Sequence, residues 1–190
     1  MLRIHVALAV FAALLGSAAA ETPPVMDRAT VVRVANTCTA EGAFGHKFGE
    51  TWQSGATGQL GYPVFHAAPG PDWAPLSALD GSYSPRSHQL WHLKASVNFG
   101  EPSQPGSPRE AMARQLFEAV DAEVRATRQY TARNVETDFG WMKAVLYTFG
   151  ADRENGFSLR LVFSASFFNL QCASGNFGEI RRREILGKTP

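Results

Sequence analysis

The run from Ser107 to about Arg128 constrains the fold more than any other stretch, because it alone reads as a long helix with a defined start. Ser107 offers a side-chain oxygen at the N-cap, and Pro108 occupies the first helical position, where no N–H is needed. Glu110 stands three residues after the cap, as a capping box requires. Met112, Leu116, Val120 and Val124 recur every fourth residue. Ala113, Phe117 and Ala119 widen that stripe, while Arg109, Glu118, Asp121, Glu123 and Arg125 take the other face. Arg125 and Arg128 suit the negative end of the helix dipole. An amphipathic helix of this kind must lie on something, so the rest of the chain is expected to supply a sheet.

The first twenty residues are set apart from that fold. Arg3, the apolar run Val6 to Leu15 and Ala18-Ala19-Ala20 have the layout of an export signal, so residues 1–20 are expected to be removed and the chain to be periplasmic or secreted, beginning at Glu21. The remainder has no apolar stretch approaching the ~20 residues of a membrane helix, so no integral membrane segment is expected after cleavage. The chain carries 18 Lys+Arg and 17 Asp+Glu, and loss of Arg3 balances them. A neutral chain is a poor candidate for nucleic acid, whose binding depends on neutralising phosphates.

Cys38 and Cys172 both follow the signal. In an oxidising destination a bridge between them is the expected reading, closing a loop of about 130 residues and contributing on the order of 4–5 kcal/mol at most. A reactive thiol is the alternative, but no nucleophile signature surrounds either cysteine.

Between these landmarks the chain alternates structured and punctuated runs. Val31, Val34, Ala35 and Cys38 fall on a helical period behind Asp27, favouring a short helix. Phe44-Gly45-His46-Lys47-Phe48-Gly49 repeats a Phe-Gly step, in which glycine serves a bend or close approach and phenylalanine anchors. Residues 49–86 are rich in Gly, Pro and aromatics without a sustained period. They read as an insert with one or two short strands around Gln59 to Phe65. His88 to Phe99 alternates as a half-buried strand. Tyr130 to Thr137 reads as a polar link. Trp141 to Phe149 is apolar on both faces and reads as a central strand that pairs in a hairpin with Phe157 to Phe167, which then continues through a bend near Ser164 to Ser166 toward Cys172. Ile180 to Leu186, with Arg181-Arg182-Arg183, reads as a solvated edge strand or terminal helix. One α+β domain over 21–190 follows, an antiparallel sheet with one long helix packed across one face.

Chemistry is harder to find. His88 and His92 have the spacing of a helical zinc pair, but four residues along a strand span roughly 13 Å, too far for one ion. No Gly-x-Ser-x-Gly, Ser-x-x-Lys or phosphate-loop signature occurs, and no paired carboxylates are defined by spacing. Neither a catalytic residue, a cofactor nor a metal is therefore assigned. Trp52, Tyr62, His66, Trp73 and Tyr83 remain as candidate binding residues, since aromatic faces stack on sugar rings and anchor protein interfaces. The Phe-Gly-x-x-Phe-Gly step after a short cysteine-containing element, followed by strand, helix and hairpin, resembles small exported bacterial domains of unknown function. That resemblance implies no catalytic residues. The reading is a non-enzymatic exported binding or accessory protein, with an envelope protein as partner, or alternatively a sugar-binding or hydrolytic protein using residues 49–86.

Overall fold

The computed structural model describes residues 26–51, 56–58, 63–100, 104–150, 156–175 and 183–184. In chain order these form α1 (Arg28–Asn36), β1 (Gly42–Ala43), β2 (His46–Lys47), β3 (Ala56–Thr57), β4 (Pro63–Ala67), a short 3-10 turn (Pro71–Trp73), β5 (Ala78–Tyr83), β6 (Leu90–Asn98), α2 (Pro108–Thr127), β7 (Ala132–Asp138), β8 (Lys143–Phe149), β9 (Phe157–Phe163) and β10 (Phe167–Ser174). Eight strands make one antiparallel sheet in the order β3-β4-β5-β6-β10-β9-β8-β7, and β1-β2 is a separate hairpin. The α+β reading holds. Among the described residues no helix is long and apolar enough to cross a membrane.

Strand register sorts the side chains into two faces. Leu79, Ala95, Leu170, Leu161 and Val145 are successive cross-strand partners, and all are buried. One position along each strand, His66, Asp80, Lys94, Gln171, Arg160 and Leu146 form the parallel row on the opposite face. Alternation with period two thus puts a continuous apolar stripe under the helices and a polar one on the reverse.

Helix α2 lies against β9 and β10, with Phe117 edge-on to Phe163 at 5.2 Å between ring centroids. Ser107 Oγ accepts from Glu110 N at 3.2 Å, and the Glu110 carboxylate takes Gly106 N at 2.7 Å, one residue earlier than in a standard capping box. Arg128 does not serve its own helix. It donates to Ala35 O at 2.9 Å and Cys38 O at 2.7 Å, capping the end of α1 instead. The short helix expected behind Asp27 also forms, as α1, and Asp27 caps it by accepting from Thr30 N at 2.6 Å.

Several expectations change. Within residues 49–86, read as an insert, β4 and β5 extend the main sheet beyond β6. β5 escapes a hydrophobic count because one of its inward positions is Gly81, where a Cβ would come within 2.0 Å of the Phe65 ring. The expected polar link is the edge strand β7, whose polarity suits a strand with one unpaired side. β8 is accordingly one strand in from the edge rather than central, and Trp141 precedes it in the turn. The hairpin of β8 and β9 forms as expected, with Phe149 opposite Phe157. At Ser164 to Ser166 the chain reverses rather than bends, so that Phe168 on β10 pairs back with Phe163.

Candidate functional site

The β1-β2 hairpin turns on only two residues, since Ala43 pairs directly with His46. Such a turn requires positive φ at both central positions, and Phe44 and Gly45 have φ of 53° and 81°. Glycine adopts this freely, whereas a phenylalanine costs roughly 1–2 kcal/mol there. The surroundings hold it in place: Phe44 N donates to Thr37 Oγ1 at 3.0 Å, and its ring is buried edge-on against Trp73, 5.0 Å away. Gly42 is required too, because a Cβ would meet His46 O at 1.9 Å. The Phe-Gly step therefore acts as the sequence suggests, as a backbone bend with an aromatic anchor.

Against this turn lies an open cleft of about 260 Å³, lined by the 37–47 segment and Trp73. Its polar side chains are Glu41, His46 and Lys47, with Thr37 and Thr39 beneath. His46 is oriented from behind: its Nδ1 lies 3.1 Å from Glu50 Oε1, while Glu50 Oε2 accepts from Lys47 N at 3.2 Å. A carboxylate on Nδ1 leaves Nε2 as the second polar atom of the ring. The two threonine hydroxyls are already engaged, Thr37 with Phe44 N and Thr39 with Gly42 O and Glu41 N. Outside the cleft lining, the Phe65 ring lies 4.7 Å from His46 and 6.1 Å from Tyr83.

Of the five candidate binding residues, the three described ones, His66, Trp73 and Tyr83, do not converge. Trp73 lines the cleft, but Tyr83 is buried in the core and is withdrawn as a binding residue. Burial, with the Glu50 carboxylate nearby, raises its hydroxyl's pKa. His66 lies on the other face of the sheet, where its Nδ1 meets Asp80 Oδ1 at 2.7 Å and Lys94 Nζ meets Asp80 Oδ2 at 2.8 Å. Burial pushes the Asp80 carboxyl up, but the Lys94 and His66 contacts outweigh it and hold the pKa below the usual value. Trp52 and Tyr62 fall outside the described residues. Glu41, His46 and Lys47 carry no site motif of their own in the sequence, and the Phe-Gly step beside them signals a backbone bend rather than a binding group.

A second exposed feature sits at the β7-β8 turn. Phe139 and Trp141 are 66% and 40% exposed and stack with centroids 6.3 Å apart. Arg114 on α2 donates to Gly140 O between them, which fixes the turn against the helix.

The structure holds Cys38 and Cys172 together in the dithiol form rather than as the expected disulfide, with Cys38 Sγ donating to Ser158 O at 3.3 Å. Burial and the neighbouring Cys38 thiol push the Cys172 thiol well above its ordinary pKa. Among the described residues no group of three or more His, Cys, Asp or Glu is placed to hold a metal ion. The chain matches no protein-family model, no curated protein and no solved structure.

Proposed function

We propose that this chain is an exported, non-enzymatic binding protein and that the Trp73 cleft is its ligand seat. The observation that carries the reading is the concave join of an aromatic wall, Phe44 and Trp73, with the polar side chains Glu41, His46 and Lys47. Strained backbone at Phe44 supports it, since such conformations persist where surrounding structure enforces them and concentrate at binding sites. Export rests on the arrangement of Arg3, Val6 to Leu15 and Ala18 to Ala20. Binding is favoured over hydrolysis because the hydroxyls beside His46 are committed to holding the hairpin.

The ligand class that fits is a saccharide. A sugar ring has an apolar C–H face for an indole and hydroxyls for carboxylate, imidazole and ammonium groups. At about 260 Å³ the cleft stands near the lower end of small-molecule sites, ~300–1,000 Å³, and accommodates one ring rather than an oligomer. At ~0.3 kcal/mol per heavy atom, one sugar ring binds with a dissociation constant on the order of 1 mM. Titration calorimetry with glucose and N-acetylglucosamine tests this. Saturable heat with at least one sugar, lost in Trp73→Ala, is expected; heat unchanged by that substitution contradicts it.

A protein partner in the cell envelope is the second reading, favoured by the exposed Phe139-Trp141 stack, since large aromatics dominate interface energetics. A defined partner captured by the wild type and equally by Phe139→Ser/Trp141→Ser would rule this surface out.

A further inference from the structure

We infer that Cys38 and Cys172 are a disulfide-forming pair whose closure stiffens the strap on which the cleft hangs. Its functional meaning rests on the cleft being the ligand seat, whereas the pairing and the mechanical coupling do not.

The coupling is written in the hydrogen bonds around Cys38. Residues on either side of it hold the hairpin: Thr37 Oγ1 accepts from Phe44 N at 3.0 Å, and Thr39 N donates to Gly42 O at 2.9 Å. Thr39 Oγ1 adds a second bond to Gly42 O at 3.2 Å. The same threonines line the cleft. In the dithiol form this strap is held against the body of the protein by non-covalent contacts, without a side-chain cross-link. Cys38 O accepts from Arg128, whose guanidinium lies 4.2 Å above the Phe149 ring and 5.3 Å from Phe157, and Cys38 Sγ donates to Ser158 O. Cys172 sits on β10 between Leu93 of β6 and Leu159 of β9, among the most enclosed positions in the sheet. A bond from Cys38 to Cys172 would anchor the strap, and with it the Phe44 turn, to a central strand.

The step balances as a thiol–disulfide exchange. The two thiols give up two protons and two electrons to a small-molecule disulfide, which leaves as two thiols, or to a disulfide oxidoreductase of the oxidising compartment, which leaves as a dithiol. Both sulfurs are fully buried, and exchange requires a thiolate, so the bond forms while the chain is folding rather than after the core has closed. Once made, it is shielded from reductants by the same burial.

The test uses the whole mature chain refolded either with oxidised glutathione or with dithiothreitol, read by mass after iodoacetamide treatment in denaturant and by amide hydrogen exchange. Oxidative refolding is expected to give a product two hydrogens lighter that takes up no iodoacetamide, with the Cys38 and Cys172 peptides linked. Exchange over 39–47 should then be about ten-fold slower than in the reduced protein, with α2 unchanged, because only local opening is suppressed. Two alkylatable thiols after oxidative refolding would overturn the pairing. A bond without slower exchange at 39–47, or loss of α2 protection on reduction, would overturn the local coupling. Neither readout uses a ligand, so failure of the cleft to bind sugar leaves this inference standing, and the converse also holds.

Discussion

The Tyr147 hydroxyl on β8 donates to Asp121 Oδ1 on α2 at 2.5 Å, and both residues are buried. Arg133 Nε donates to the same tyrosine oxygen at 3.0 Å, while its Nη2 and the Nε of Arg125 attend the carboxylate. A polar network at the helix–sheet boundary thus ties α2, which lies against β9 and β10, to β7 and β8 as well. Tyr147→Phe removes the hydroxyl and leaves a buried carboxylate with fewer donors, at a cost of about 1–3 kcal/mol in chemical denaturation.

The same hydroxyl makes stability fall at alkaline pH. Burial, with the bond to Asp121, raises the Tyr147 pKa above its ordinary value of 10.0. A raised folded pKa contributes stability that is present below the unfolded value and lost as pH rises beyond it. Denaturant midpoints should therefore decline above about pH 10, with a shallower decline in Tyr147→Phe. Identical slopes would show that this hydroxyl is not the source.

His92 acts at the other end of the scale. Burial lowers its pKa from 6.5 to about 4, against the opposing contact with Gln171. Its contribution is complete above the unfolded value and is lost as pH falls through the folded one, so the native state weakens between pH 6.5 and about 4. Imidazole resonances followed by NMR should place the midpoint near 4. Titration near the unperturbed value would show that the ring is solvated.

Two neighbours on β9 test the sheet's faces. Leu161 is fully buried, so Leu161→Ala should cost about 2–5 kcal/mol. Arg160 lies on the reverse face, paired with Glu136, and Arg160→Ala should cost less than about 1 kcal/mol. Equal effects would mean that the strand does not separate a wet face from a dry one.

Gly81 and Phe65 should be coupled. Gly81→Ala drives a Cβ into the Phe65 ring and should cost about 1–3 kcal/mol. Combining it with Phe65→Leu should recover part of that loss, giving a non-additive cycle. Simple additivity would show that the ring moves aside freely.

The elements legible in the sequence were those whose signals are local. Ser107-Pro108 and the stripe behind it specify α2, and strict alternation specifies β6 and β9. β5 and β7 were hidden for opposite reasons. Phe65 fills the space where a β5 side chain would otherwise declare itself at Gly81, and an edge strand such as β7 has no need of an apolar pattern. Helical periodicity puts Asp121 on the polar face, because its partner Tyr147 is 26 residues away and periodicity does not carry such a pairing. The cleft was hidden similarly. Trp73 was named, but the side chains that meet it belong to a hairpin some 30 residues earlier, brought there by Phe44 packing on its ring.

Chemical-shift mapping of the mature chain titrated with glucose or N-acetylglucosamine tests the central claim most directly. The account predicts saturable shifts confined to residues 37–47 and the Trp73 indole, abolished by Trp73→Ala with the rest of the spectrum intact. Absence of shifts at sugar concentrations well above ~1 mM, or shifts centred elsewhere on the sheet, would contradict it.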